Sequence, residues 1–313
     1  MSPIIINNQY QIDPLRCVRH VRLGEASGEP NSDPDNFSFS GEGNEFLYVA
    51  LPYLECIDVN VTTTNAIASS LRELYMPRLT YVAGKMTLDY RNEMEFIGMR
   101  ALQSLEVLQV EARSNNTDLR GLDGLLRLQS FTLNNNFTGG DLAGLNGLIE
   151  LHNFTINGGG AIVVNDGDAS NGGFLESLLV VTGDVLINAA GSPYFYALGN
   201  IERINGELTI DGGNSTAEFE DLRGMESLQH VGGTLTIRSM DDLLALDGIR
   251  PAGLQVGRLV IEGNERLEDI SQLSRITALG TVTIEGNPLI DCEDIEAYAT
   301  ASGANVSATE CGL

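Results

Sequence analysis

The chain has 313 residues, of which 42% are hydrophobic, and its 18 lysines and arginines are set against 43 aspartates and glutamates, for a formal charge of −25. The hydrophobic content supports a folded core. The negative charge excludes nucleic acid and anionic membrane surfaces as partners, because both are polyanions. No segment reaches the roughly 18 consecutive apolar residues of a membrane-spanning helix, so we expect no direct membrane insertion.

The first 70 residues are irregular. Short apolar stretches at residues 21–23, 37–39 and 57–59 alternate as degenerate strands do, and residues 24–35 have the glycine, proline and acid content of a loop. We therefore expect residues 1–70 to form an N-terminal cap with degenerate coils. Residues 1–10 have no basic start and only a short apolar run, so they are not a secretory signal.

From residue 71 to residue 290 the sequence repeats one motif: an apolar residue, an outward residue and a second apolar residue, followed by a polar or glycine turn. Successive motifs begin 22 to 31 residues apart. Such a period is typical of a solenoid, in which each coil buries its apolar face only against its neighbours. The motifs begin at Met86, Leu108, Phe131, Phe154, Val185, Leu208, Leu235, Leu259 and Val282.

Each coil is predicted to contain one short strand and a return segment. In the strand, alternate residues point to opposite faces, so the two apolar residues of the motif face the core. The return has apolar residues three apart, as in Leu142, Leu145 and Leu148, which suits a 3₁₀-like or extended wall. The sequence therefore predicts a mostly β protein, a right-handed β-solenoid with coils of about 23 residues and capped ends.

Asparagines after some strands point to a family. Residues 128–136 follow the spacing L-x-x-L-x-L-x-x-N, ending at Asn136, and Asn264 and Asn287 occupy the same place in later coils. An inward asparagine can satisfy backbone groups at the bend. With segments 256–264 and 286–292, the repeats resemble leucine-rich repeats, and still more the receptor L-domain-like variety of secreted and cell-surface proteins. The resemblance covers residues 71–313 and implies the architecture, not the ligand.

Four cysteines lie outside the regular coils: Cys17 and Cys56 near one end, Cys292 and Cys311 near the other. Pairing within each end would close loops of about 39 and 19 residues and add roughly 3–4 kcal/mol each. Four cysteines allow three connectivities, and four free buried thiols are the alternative. Disulfides would favour an extracellular or cell-surface location. Residues 291–313 are predicted to form a C-terminal cap, with a helix over residues 294–301.

The outward faces of the strands form the candidate binding surface. Stacked coil on coil, the central outward position is mostly threonine, and the position two residues later holds acids and amides. Solenoid faces present extended binding surfaces, although outward threonines also serve simply to keep a sheet soluble. The candidate ligand-binding residues are Thr87, Gln109, Thr132, Thr155, Thr209, Thr236, Thr283, Asn134, Asn157, Asn188 and Asp211.

The longest interval between motifs contains a predicted insertion, residues 157–182. Within it Asp166, Asp168 and Ser170 alternate among glycines and could supply oxygen ligands to calcium, although the segment lacks the bidentate glutamate of an EF-hand. A solvated turn is the other interpretation. No other cofactor is indicated.

No catalytic motif is present: the three histidines are scattered, and there is no nucleophile elbow, H-E-x-x-H or phosphate-binding loop. We therefore expect a non-enzymatic recognition or adhesion protein that binds a protein or glycan on another surface through the sheet face and the insertion. The alternative is a self-associating structural subunit of a surface layer or appendage. Ice binding by the threonine column ranks below both.

Overall fold

The computed structural model describes residues 4–6, 17–18, 21–23, 36–39, 48–58, 60–63, 73–90, 96–112, 119–135, 143–158, 175–188, 198, 200–213, 221–249, 253–309 and 311. The protein is mostly β, and its parallel strands form a β-solenoid with coils of about 23 residues, which confirms the predicted fold class. The chain divides into two compact units. The described residues of the first lie before Leu151, and those of the second run from Leu151 onward.

The strands of the first unit pair in parallel and lie in a long sheet and a small three-stranded sheet. In chain order they are β1 (Ile4–Ile6), β2 (Cys17–Val18), β3 (Val21–Leu23), β4 (Asn36–Phe39), β5 (Tyr48–Ala50), β6 (Cys56–Ile57), β7 (Asn60–Thr63), β8 (Glu73–Tyr75), β9 (Tyr81–Tyr90), β10 (Phe96–Gly98), β11 (Ser104–Ala112) and β12 (Arg127–Asn135). Strands β5, β8 and β10 form the small sheet. The returns include 3₁₀ turns at Arg120–Leu122 and Ala143–Leu145, as the leucine spacing predicted.

Neighbouring coils of the first unit pair in the register that the repeat predicts. Leu108 of β11 lies opposite Met86 of β9 on one side and Phe131 of β12 on the other. All three side chains are fully buried. Each coil therefore covers the apolar face of the next, which is the only way a single strand with one apolar side can be desolvated.

The N-terminal strands differ from the prediction in one place. Strands occur at residues 21–23 and 36–39, and of the stretch expected at residues 57–59 Ile57 lies in β6, while a further strand, β7, follows at Asn60–Thr63. Two of these N-terminal strands pair with β9: Ile57 of β6 lies opposite Val82, and Val61 of β7 lies opposite the motif residue Met86. The repeat did not predict β7 because Thr63 stands where the motif has its second apolar residue.

The second unit continues with parallel strands, one longer 3₁₀ turn and one helix. Its elements are β13 (Glu150–Asn157, from Leu151 onward), β14 (Val180–Val181), β15 (Val185–Asn188), β16 (Arg203–Ile204), β17 (Leu208–Asp211), β18 (His230–Arg238), β19 (Leu254–Glu262), a 3₁₀ turn (Ser271–Arg275), β20 (Ile276–Ala278), β21 (Thr281–Glu285), α1 (Cys292–Ser302) and β22 (Asn305–Thr309).

The long interval of the repeat is a single enlarged coil, because Phe154 of β13 lies directly opposite Val185 of β15. From there the register follows the repeat through Leu208, Leu235 and Leu259. The motif's first residues are at most 2% exposed throughout this unit, so they form one continuous core column.

Two inward asparagines form a ladder in the second unit. Asn264 and Asn287 are 0% and 1% exposed. Asn287 Oδ1 accepts hydrogen bonds from the backbone N and from Nδ2 of Asn264, both over 3.0 Å. Asn264 Oδ1 in turn accepts from the backbone N of Met240 over 3.1 Å. The inward position is confirmed for these two residues, whereas Asn136 lies outside the described part of the chain.

Both disulfides pair cysteines of the same end. Cys17 and Cys56 face each other on β2 and β6, and Cys292 at the start of α1 is bonded to Cys311. Helix α1 is capped by Asp291, whose side chain accepts from the backbone N of Glu293 over 2.8 Å. The end-local pairing and the C-terminal helix are confirmed.

Candidate recognition surface

A column of glycines precedes the outward strand segments of the second unit. Gly183, Gly206, Gly233, Gly257 and Gly280 each stand two residues before a motif. A Cβ on any of the last four would lie only 2.6 to 2.9 Å from the carbonyl oxygen of the glycine in the preceding coil. Because no side chain fits there, the coils approach closely at this corner and the outward strands start in a common register.

The glycine column was missed by the search for apolar repeats. Its signal is nonetheless present in the sequence, because glycine occupies the second position before five of the six motifs of the second unit, all but that at Phe154, and again at Gly84 of the first. At Gly84 a Cβ would meet Asn60, whose Oδ1 accepts a hydrogen bond from the backbone N of Lys85 over 2.7 Å. In the first unit the glycine is thus present in one coil, while the same position before the motifs of β11 and β12 holds Glu106 and Gln129.

In the first unit the predicted residues Thr87, Gln109 and Thr132 form one row across β9, β11 and β12. In the next row, two residues further along the strands, Glu111 lies opposite Asn134. All five side chains are half-buried. The structure thus brings together the residues that the alternation placed on one face.

A chain of hydrogen bonds crosses these two rows. Lys85 Nζ donates to Gln109 Oε1, and Gln109 Nε2 donates to Glu111 Oε1. Asn134 Nδ2 donates to the same oxygen of Glu111 over 2.5 Å. We call these four residues the polar relay; Lys85 and Glu111 were not among the predicted site residues. The relay links side chains of three neighbouring strands and so holds them in one arrangement.

In the second unit the central outward row is also in register from coil to coil, and its members up to β21 are half-buried. The row consists of Thr155, Leu186, Thr209, Thr236, Val260, Thr283 and Ser307. Leu186 and Val260 interrupt the hydroxyls, so the row is a mixed surface and not an unbroken threonine array.

The neighbouring row of the second unit contains the predicted Asn157, Asn188 and Asp211, followed by Arg238. Arg238 donates to Asp211 Oδ2 from Nε over 2.8 Å and from Nη2 over 2.7 Å. An exposed pair of this kind contributes at most about 1 kcal/mol to stability. Its main effect here is to fix the two charges beside Thr209 and Thr236.

Exposed aromatic rings lie on the first unit. Tyr53, Tyr75 and Tyr81 are 47%, 41% and 51% exposed, and the Arg78 guanidinium lies 5.5 Å from the centre of the Tyr53 ring. Tyrosine and arginine are enriched at binding interfaces, because they combine apolar area with hydrogen-bonding groups. The apolar repeat gave no reason to single them out, since none of the three belongs to the repeated motif.

Among the described residues, no group of three or more His, Cys, Asp or Glu side chains is placed to hold a metal ion. The predicted calcium ligands Asp166, Asp168 and Ser170 lie outside the described residues, as does most of the insertion 157–182. In the part of the chain that is described, no helix is long and apolar enough to cross a membrane.

Comparisons of this chain with protein-family models, with curated proteins and with solved structures found no match.

Proposed function

We propose that this protein is a non-enzymatic recognition or adhesion protein of the cell exterior that binds a protein or glycan through the outward face of its sheet. The polar relay carries this proposal. It places an ammonium, two amides and a carboxylate on one half-buried face, which is the set of donors and acceptors that a polar partner needs.

Preorganisation is the physical reason for choosing this face. Immobilising a flexible side chain at an interface costs about 0.5–1.5 kcal/mol. Lys85, Gln109 and Glu111 already hold one another through hydrogen bonds in the free protein. When a partner binds to these residues, less of the binding free energy is therefore spent on ordering their side chains.

Two further observations support the proposal. The exposed rings of Tyr53, Tyr75 and Tyr81 on the same unit provide the apolar contact area that both sugars and proteins use. The two disulfides fit an oxidising location outside the cytosol. We also propose, from the repeat motif and the inward asparagines, that the chain is related to the receptor L-domain-like leucine-rich-repeat proteins.

The test uses the labelled full chain on printed arrays of defined oligosaccharides and of purified extracellular protein domains. We expect specific binding that Gln109→Lys reduces at least tenfold, because the substitution removes the side chain that makes two of the relay's three hydrogen bonds and adds a charge. Gln103→Lys, which changes an exposed glutamine just before β11, is the matched control and should bind like the wild type. An unchanged melting temperature in both variants would show that the fold is intact.

The proposal is wrong if the wild-type chain binds neither array, or if the two lysine variants bind equally well. In the second case binding would be real but would not involve this face.

A structural subunit remains the second candidate, and one observation favours it. Strand β22 pairs with β21, and among the described residues no strand covers its other edge. An uncovered parallel edge can accept a strand from another copy. Concentration-dependent assembly in sedimentation velocity would favour this role, while a monomer at all concentrations favours recognition. The interruptions at Leu186 and Val260 leave ice binding without support.

A further inference from the structure

Strand β22 of the second unit leaves one of its edges open. Residues Asn305–Thr309 pair in parallel with Thr281–Glu285 of β21 and, among the described residues, with no other strand. Natural proteins usually block such an edge with charged residues or proline, because its unpaired N–H and C=O groups can pair with another chain. Strand β22 contains neither, since its residues are Asn, Val, Ser, Ala and Thr. The edge is therefore able to pair.

The register with β21 shows which main-chain groups face the open edge. The backbone N of Gly286 donates to the carbonyl oxygen of Thr309 over 3.3 Å, so the main-chain groups of Thr309 face β21. Along a strand, these groups point to the two edges alternately. Ser307 therefore also bonds to β21, whereas Val306 and Ala308 direct their N–H and C=O groups to the open edge.

The side chains of the same two residues are incompletely covered. Val306 and Ala308 occupy the places of the apolar motif residues, opposite Val282 and Ile284 of β21. Val282 and Ile284 are 0% and 1% exposed, but Val306 is only half-buried and Ala308 is exposed. A further strand beside β22 would thus bury apolar surface as well as pair the open main-chain groups.

A second β22 strand satisfies this edge completely. When two copies lie antiparallel about Ser307, Val306 of each copy lies opposite Ala308 of the other. Such a pair exchanges both of its N–H···O=C hydrogen bonds, so every open main-chain group of the two edges is paired. No charged residue of either strand meets another, although the chain carries a formal charge of −25. The edge is therefore complementary to itself, as a two-fold interface requires.

We propose that two copies of this chain form a two-fold dimer by antiparallel pairing of their β22 strands. The proposal does not rest on the recognition function. It also differs from a layer or appendage subunit, because pairing uses up the edge and assembly stops at two copies. A single pair of short strands buries less than the roughly 1,000 Å² of stable interfaces, so the dimer is reversible.

The dimer would double the candidate recognition surface of the second unit. Ser307 belongs to the central outward row of that unit. Because the two-fold axis passes through the Ser307 pair and is perpendicular to the sheet, the outward sides of both β22 strands face the same way. A partner with repeated binding groups would then gain avidity by contacting both copies.

The register predicts one specific disulfide between copies. The two Ser307 residues form a non-hydrogen-bonded pair with Cα atoms about 4.5 Å apart, a separation that a disulfide spans. The native cysteines are already bonded in pairs, so Ser307→Cys adds one free thiol. Mild oxidation of this variant should give a linked dimer, detected by intact mass spectrometry. Thr309→Cys, at an exposed residue of the same strand, is the matched control and should stay monomeric, because it lies opposite Asn305.

A mixture of two variants tests the same register independently. Asn305→Cys and Thr309→Cys chains should cross-link with each other when mixed, although neither does so alone. Cross-linking of Thr309→Cys as fast as that of Ser307→Cys would indicate random collision and overturn the proposal. Absence of a linked Ser307→Cys dimer would overturn it too.

Sedimentation velocity of the full chain measures the association without a cross-link. Between about 10 and 500 µM we expect a shift from monomer to dimer and no larger species, because association follows mass action. Ala308→Pro removes one N–H from the open edge and should weaken the dimer at least tenfold, with an unchanged melting temperature as the check on folding. A wild-type chain that stays monomeric or grows beyond two copies contradicts the proposal, as does a folded Ala308→Pro variant that associates like the wild type. If that variant does not fold, the cysteine cross-links decide.

Discussion

Asn264 shows how one buried side chain supplies the hydrogen bonds that a solenoid bend leaves open. Its amide group donates to the carbonyl oxygen of Ile237 over 3.2 Å and to Asn287 Oδ1, and it accepts from the backbone N of Met240. Each of these bonds joins one coil to the next. A polar residue is thus stable at 0% exposure because its side-chain amide both donates and accepts hydrogen bonds.

We predict that Asn264→Ala lowers the free energy of unfolding by about 2–4 kcal/mol. The substitution leaves the N–H of Met240 and the carbonyl of Ile237 buried and unpaired, and each such loss costs about 1–3 kcal/mol. Urea denaturation followed by circular dichroism measures the change.

The control for that prediction is Asn305→Ala, at an exposed asparagine of β22 in the same unit. Its effect should stay within about 0.5 kcal/mol. Equal losses in the two variants would mean that the asparagine ladder contributes nothing specific.

The elements of the solenoid meet at the glycine corner. There the chain turns from the short strands β14, β16 and β20 into the outward strands β15, β17 and β21. The corner glycines bring successive backbones into contact, as the 2.6 Å from a Cβ on Gly206 to the Gly183 oxygen shows. Because the corner glycines of successive coils are aligned, the outward rows that follow them are in register as well.

We predict that Gly206→Ala destabilises the protein by about 2–4 kcal/mol, since the new methyl group meets backbone atoms that cannot rotate away. It should also displace β17 and weaken the Asp211–Arg238 pair at its far end. Thermal unfolding measures the first effect, and amide hydrogen exchange of β17 the second.

Gly263→Ala is the matched control. Gly263 has a φ of +63°, and nothing lies within 4 Å of the place that an alanine methyl group would take, so only the left-handed backbone opposes the substitution. That conformation costs about 1 kcal/mol. A loss in Gly206→Ala no greater than in Gly263→Ala would show that close approach at the corner is unimportant.

The whole molecule carries a formal charge of −25, and its sequence pI is 4.3. The excess carboxylates repel one another. Described ion pairs such as Arg127–Glu150, at 2.9 Å between exposed side chains, offset little of that repulsion. Like charges spread over the surface favour solubility and oppose compaction.

We predict that raising sodium chloride from 10 to 300 mM increases the melting temperature by a few degrees at pH 7, because salt screens the repulsion. The control is the same titration near pH 4.3, where the net charge approaches zero and the dependence on salt should vanish. A melting temperature at pH 7 that does not rise with salt would show that repulsion does not limit stability.

The sequence by itself determined the features that repeat or stand alone at the ends: the period near 23 residues, the inward and outward faces, the capping helix and the position of the cysteines near each end. These features are local, because strand alternation and residue spacing act within a few neighbours along the chain.

Only the tertiary structure decided which coil positions meet. The pairing of β7, the polar relay from Lys85 to Asn134, the glycine contacts and the open edge of β22 all depend on residues from different coils. Such contacts depend on the exact register and on which side chain lies opposite which. A periodic apolar pattern specifies that coils stack. It does not specify which polar side chains of neighbouring coils come into contact, because that depends on how the coils pack.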